Sequence, residues 1–223
     1  MLESISARMN YSFRKKNKIV KYIVIHYTGM KNLNLAYQKL SHNRSNVSSH
    51  YLISRNGLIF NFVCPRYKAW HAGKSKWREH ININDYSVGI ELENRGHEYG
   101  YSNFTKRQYA SLKKIINFLK KNLYILDQNI IFHSDISPNR KTDPGEKFHL
   151  HNIGVNRFGY MRKKNKRKYS LNQMLILYGF HIFYIKNYKE LCIEAVKRSL
   201  NYKKISPNIS DKFMIDFNNL LFQ

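Results

Sequence analysis

Tyr86-Ser87-Val88-Gly89-Ile90-Glu91-Leu92-Glu93 alternates large apolar residues with small or acidic ones. Successive side chains of a strand point to opposite faces, so Val88, Ile90 and Leu92 share one side while Gly89, Glu91 and Glu93 share the other. The stretch predicts a strand packed on its aliphatic side, with two carboxylates pointing away from it. Thr105-Lys106-Arg107-Gln108 has capping-box spacing, and Leu112, Ile115, Ile116, Leu119 and Leu123 follow at helical intervals, which predicts an amphipathic helix whose lysines face water. That helix leads into Asn129-Ile130-Ile131-Phe132-His133, a second apolar run read as a strand. Upstream, Lys21-Tyr22-Ile23-Val24-Ile25-His26-Tyr27-Thr28 reads as a buried strand delivering His26 at its C-terminal end. Ser48 to Ser54 and Leu58 to Val63 flank Arg55-Asn56-Gly57, and an Asn-Gly pair between apolar runs is the best short hairpin signal. Strands and helices are interspersed, so residues 1–160 read as an α/β domain built on a mixed central β-sheet flanked by helices.

Beyond residue 160 the composition changes. Arg162-Lys163-Lys164-Asn165-Lys166-Arg167-Lys168 gives a basic linker over residues 161–169, and residues 170–223 read as a small all-α module. Its helices are expected at Leu171 to Gly179, Leu191 to Leu200 and Phe213 to Phe222. Leu175, Ile176, Ala195, Val196, Phe213, Phe217 and Leu220 are most simply the module's own core.

With 223 residues the chain is long enough to bury a real core in one ordinary domain plus a small second one. The 39 lysines and arginines against 14 aspartates and glutamates give a formal net charge of +25. Such a charge favours anionic partners: nucleic acid, a membrane surface or an acidic cell-wall polymer. The basic run is either a solvated linker or a nucleic-acid patch, but no nucleic-acid-binding motif accompanies it. Cys64 and Cys192 are far apart and suggest neither a disulfide framework nor a cysteine zinc cluster. Met1 to Arg8 lack a hydrophobic signal segment, and no run approaches the roughly 18 apolar residues of a membrane span.

His133-Ser134-Asp135-Ile136-Ser137-Pro138-Asn139-Arg140-Lys141-Thr142-Asp143-Pro144-Gly145 places a histidine, a lysine and a carboxylate in a Pro/Gly-bounded loop directly after a strand. Imidazole and carboxylate are both good zinc ligands, and two are too few. His26, at another strand end, completes a two-histidine, one-carboxylate set with His133 and Asp143, the usual count for a catalytic zinc that keeps one position open for water. Glu91 is then the candidate to take that water's proton, and Lys141 the candidate to stabilise an oxyanion. Plainer readings stand beside these: each histidine as a hydrogen-bonded or exposed side chain, Asp143 as a turn initiator before Pro144, Glu91 as an exposed strand carboxylate.

Five blocks in order, Val24-Ile25-His26-Tyr27-Thr28, Ser49-His50-Tyr51-Leu52-Ile53, Ala69-Trp70-His71-Ala72-Gly73, Ser87 to Glu93 and His133 to Gly145, resemble the zinc-dependent N-acetylmuramoyl-L-alanine amidases of type 2, in the branch of AmpD and AmiD. The resemblance implies one Zn2+ per chain on His26, His133 and Asp143, Glu91 as general base or acid, and Lys141 stabilising the transition state. It places Tyr51 where some relatives carry a catalytic tyrosine, and Trp70, His71 and Trp77 in the block bordering the substrate groove, with His71 a possible substrate contact. The implied reaction cuts the amide between N-acetylmuramic acid and L-alanine in peptidoglycan or a muropeptide. A non-catalytic peptidoglycan-binding protein on the same fold is the alternative, and a basic nucleic-acid binder a more distant one. Leu175 to Phe180 and Glu194 to Lys197 more faintly resemble the three-helix peptidoglycan-binding module of AmiD-like enzymes. Ile205-Ser206-Pro207-Asn208-Ile209 replaces the glycine-containing loop expected there. The AmiD-like architecture points to the cell envelope and the lack of a signal segment to the cytoplasm, so the compartment stays open.

Overall fold

The structure, a computed structural model, describes residues 3–4, 10–42, 45–157 and 169–222. The basic run Arg162–Lys168, hence nearly all of the expected linker 161–169, lies outside the described residues, as does most of Met1–Arg8. Strands β1 (Glu3–Ser4) and β2 (Tyr11–Ser12) precede β3 (Tyr22–Tyr27) and helix α1 (Leu33–Ser41). Then come β4 (Tyr51–Ile53), β5 (Ile59–Asn61), the two-residue strands β6 (Lys68–Ala69), β7 (Lys76–Trp77) and β8 (His80–Ile81), and β9 (Ser87–Leu92). The single turn α2 (Gly96–Tyr99) and the long α3 (Lys106–Leu123) lead to β10 (Ile130–Phe132) and the single turn α4 (His133–Ile136).

Six of these strands form one sheet in the order β1-β5-β4-β9-β3-β10, parallel except at the β4–β5 hairpin. The expected mixed sheet is present, and alternation decides its two faces. Ile23, Ile25, Tyr51, Ile53, Val88, Ile90, Leu92, Ile130 and Phe132 meet Leu112, Ile115, Ile116 and Leu119 of α3 in one buried cluster. The capping box forecast for α3 is made: Thr105 Oγ1 accepts from Gln108 N at 3.1 Å, and Thr105 N donates to Gln108 Oε1 at 3.0 Å. On the opposite face α1 covers the β4 end, where Leu40, Leu52, Phe62, Val63 and Ala69 cluster.

The C-terminal helices are α5 (Leu171–Tyr178), α6 (Ile182–Asn187), α7 (Lys189–Ser199) and α8 (Asp211–Leu221). Three were expected; α6 was not, because its leading Ile182 and Phe183 are exposed and give no buried period. The separate core expected for these helices is not what forms. Leu175, Tyr178, Phe180, Ala195, Val196, Phe213 and Phe217 join Tyr22, Val24, Trp77, Ile83, Ile131 and Ile136 in one continuous cluster, while Ile176 is 53% exposed. The reason lies in β3 and β10, whose residues are apolar on both faces; α3 covers one face, and the other needs the C-terminal helices. A polar tie crosses the same contact. Asp135 of α4 accepts from Tyr178 Oη at 2.9 Å and pairs with Arg157 Nη2 at 3.0 Å, all three being buried.

Candidate active site

The register of β3 against β9 sets His26 beside Glu91, and β4 against β9 sets Leu52 beside the same glutamate. Neighbours in register share a face, so His26 and Glu91 emerge on the side away from α3. Next to β3, β10 ends and turns directly into α4, which carries His133. The loop after α4 returns Asp143, whose carbonyl accepts from Ser134 N at 3.0 Å. Tyr27 adds a second tie, its hydroxyl 3.1 Å from Thr142 Oγ1, so the neighbours of His26 and Asp143 are linked as well.

Three atoms converge there. His26 Nδ1 and His133 Nδ1 are 2.9 Å apart, and each is 3.0 Å from Asp143 Oδ2. All three residues are buried, and among the described residues they are the only group of this kind that could hold a metal ion. The donor types are those zinc takes. Hydrogen bonding alone accounts poorly for the triangle, since two imidazole nitrogens can share one proton at most and the carboxylate oxygen sits equally close to both. The residues therefore fit the expected cation.

The electrostatics agree with a ligand set. Burial, and next the neighbouring His133, lower the His26 pKa to about 4, against the opposing pull of Asp143, which keeps the ring neutral at pH 7. Burial alone would raise Asp143, but the His133 and His26 imidazoles outweigh it and hold this carboxyl well below the usual carboxylate range. Glu91 goes the other way: burial first and repulsion by Asp143 second raise it well above its ordinary value, with Lys141 opposing. Its Oε2 is enclosed without a hydrogen-bond partner among the described residues. Two carboxyl groups on one site are thus pushed apart in acidity, a pattern typical of acid–base chemistry.

Beside the triangle opens a cavity of about 570 Å³, lined by Glu91, His133, Lys141, Asp143 and Trp70 among others. Its cations, Lys39, Arg95, Arg140 and Lys141, outnumber the carboxylates Glu91, Glu98 and Asp143. Trp70 is fixed by its indole N–H, which donates to Ser12 Oγ at 3.1 Å.

Three sequence expectations turn out differently. Tyr51 lies one register step from Leu52, so its side chain enters the α3 core on the opposite face of the sheet, beside Asn61 and Cys64, and does not reach the triangle. Trp77 is fully buried edge-on against Tyr178 and Phe180 and borders no groove. His71 touches the cavity wall, but both ring nitrogens are engaged inward, Nδ1 at 3.0 Å from His26 Nε2 and Nε2 at 3.1 Å from Ser87 Oγ, which leaves none for a substrate. Arg140, Asn84 and Ser87 went unnoticed in the sequence. Only Ser87 had a signal, because alternation along its strand places it on the Glu91 face.

Residues 15–146, more than half of the chain, match the family described as N-acetylmuramoyl-L-alanine amidase. Over 103 residues the chain is 43% identical to the 1,6-anhydro-N-acetylmuramyl-L-alanine amidase AmpD of Haemophilus influenzae, covering 46% of this chain and 54% of that protein. Over 141 residues it is 38% identical to the N-acetylmuramoyl-L-alanine amidase AmiD of Escherichia coli, covering 58% of this chain and 50% of that one. The chain spans about half the length of these curated relatives. Among solved structures it is similar to AmiD from E. coli in complex with the substrate anhydro-N-acetylmuramic acid-L-Ala-D-gamma-Glu-L-Lys, with a TM-score of 0.74 and 25% identity over 93% of this chain and 91% of that one. An AmpD structure aligns with 67% of this chain and 90% of its own length, at a TM-score of 0.60 and 28% identity. The sheet, the converging donors and the matched residues make this chain a member of the N-acetylmuramoyl-L-alanine amidase family.

Proposed function

We propose that this protein is a zinc amidase that hydrolyses the amide between the lactyl group of N-acetylmuramic acid and L-alanine in peptidoglycan or muropeptides. The observation that carries this reading is the triangle of His26 Nδ1, His133 Nδ1 and Asp143 Oδ2, with edges of 2.9 to 3.0 Å, opening on a cavity that also holds Glu91 and Lys141. When bound to these three atoms, Zn2+ supplies a water of lowered pKa and polarises a substrate carbonyl. Glu91 takes the proton from the attacking water on its enclosed carboxylate. Burial makes that carboxylate a stronger base than a solvated one, and the same burial lets it retain the proton until the alanine nitrogen leaves and accepts it. Lys141 Nζ donates to the oxygen on which negative charge develops. The lining cations Lys39, Arg95 and Arg140 suit a substrate whose stem peptide carries carboxylates. A non-catalytic binder would have no need of a complete donor set beside an enclosed glutamate.

Metal analysis combined with mass spectrometry of products from a muropeptide tests the reading. The expected outcome is one zinc per chain and release of a peptide beginning with L-alanine, abolished by a chelator and restored by Zn2+. A protein that binds no zinc, or one that stays fully active as Glu91→Ala and Lys141→Ala, refutes it.

A further inference from the structure

We propose that the segment from Trp70 to Gly73 is an orienting strap for the zinc site, in which His71 and the Ala72 carbonyl fix the nitrogen that each zinc histidine presents. The inference rests on the zinc reading above and adds positioning residues to it.

The strap reaches both imidazoles from behind. His133 Nε2 lies 3.3 Å from the Ala72 carbonyl oxygen, which can only accept, so the ring carries its proton on Nε2 and keeps the Nδ1 lone pair for the triangle. Arg140 Nη2 donates to the same oxygen at 3.1 Å and to the Lys74 carbonyl at 2.8 Å, which holds that acceptor in place. For His26 the constraint begins at Ser87. Its hydroxyl has one proton and donates it to the Ile83 carbonyl at 2.7 Å, so Ser87 Oγ faces His71 Nε2, at 3.1 Å, as an acceptor. His71 therefore bears its proton on Nε2, and its Nδ1 accepts from His26 Nε2 at 3.0 Å. His26 Nδ1 is left with a bare lone pair aimed at His133 Nδ1 and Asp143 Oδ2.

The strap itself is fixed at several points. Asn84 Oδ1 accepts from the backbone N–H of His71 at 3.1 Å and of Ala72 at 2.8 Å, and Ser48 Oγ accepts from Trp70 N at 2.9 Å. The His71 ring packs closely on β9 at Gly89, where an added Cβ would fall 2.3 Å from His71 Cγ. Hydrogen bonds behind a ligating histidine fix its tautomer and ring orientation, and losing such a partner typically weakens metal binding by about 10- to 100-fold.

The test is the Zn2+ dissociation constant of the full chain, measured by competition with a chromophoric chelator. His71→Leu should weaken binding by about 10- to 100-fold. His71→Asn, which puts an oxygen near the lost Nδ1, should recover most of that loss. Equal affinity for wild type and His71→Leu overturns the proposal, and so does a His71→Asn as weak as His71→Leu, which would make the role one of packing alone. Should His71→Leu fail to fold, the tautomer is read in the zinc-loaded wild type by long-range ¹H–¹⁵N spectra. An Nε2–H His71 is expected, and an Nδ1–H His71 overturns the inference. A wild type that binds no Zn2+ overturns the zinc reading itself, a separate result.

Discussion

Deleting residues 169–223 should unfold what remains, although those residues carry none of the site's side chains. The face of β3 and β10 opposite α3 is covered through Trp77, Tyr22, Val24, Ile131 and Ile136, which share one cluster with Tyr178, Phe180, Phe217 and their neighbours. Trp77 is enclosed edge-on by Tyr178 and Phe180, and Tyr184 Oη donates to the Ile136 carbonyl at 3.0 Å. Exposing a large apolar side chain costs about 1.5–3 kcal/mol, so loss of cover equivalent to four such side chains costs roughly 6–12 kcal/mol. Asp135 also loses the Tyr178 hydroxyl while remaining next to Arg157, which adds about 1–3 kcal/mol. Domains of this size have about 5–15 kcal/mol in total, so the loss is comparable with all of it. The assay is urea unfolding followed by near-UV circular dichroism, comparing residues 1–168 with the full chain. A fragment that unfolds cooperatively at nearly the same midpoint would show that the C-terminal helices are an appendage and that the shared cluster contributes little. Within the full chain, Trp77→Ala should cost about 3–5 kcal/mol by the same measurement.

Glu91→Gln should lower kcat by about 10²- to 10⁴-fold while zinc content stays at the wild-type level, as metal analysis beside a muropeptide assay would show. Tyr51→Phe should leave kcat/KM within about twofold and change stability by no more than about 1.5 kcal/mol, because its hydroxyl sits by Asn61 on the far face of the sheet. Acid should destabilise the protein through His50, whose pKa burial, and next Arg14, lower from 6.5 to about 3 against the Tyr67 carbonyl. The unfolded ring takes up a proton below about pH 6.5 while the folded ring stays neutral to about pH 3, so stability is retained above this window and falls as pH drops through it. The slope is about 1.4 kcal/mol per pH unit at most. The unfolding free energy from urea titrations should therefore fall from pH 7 to pH 5, and fall by roughly 2 kcal/mol less in His50→Asn, which retains an acceptor for the Gly89 N–H.

What was legible depended on whether one strand or helix was enough to carry the signal. The alternation from Ser87 to Leu92 assigned both faces of β9, and Thr105 with Gln108 marked the start of α3, because each pattern is local. His26 and His133 were readable as strand-end residues, but their meeting depends on β3 and β10 being adjacent and parallel, which no short pattern encodes. Tyr51 shows the limit. Its own strand gives the right alternation, yet which of Tyr51 and Leu52 shares the face of Glu91 is decided by the register between β4 and β9, and one step reverses the answer. Trp77 failed for a related reason: it is seven positions from Trp70 in the chain, but its ring is claimed by helices about 100 residues later. Gly89 is the instructive case in between. A glycine inside a strand loses packing and often marks a close approach by other groups, and here the approaching group is His71, whose ring occupies the space a Cβ would need. The clue to what stands behind His26 and His133 was thus present in the chain as a missing side chain, and only the fold could name the residue that fills its place.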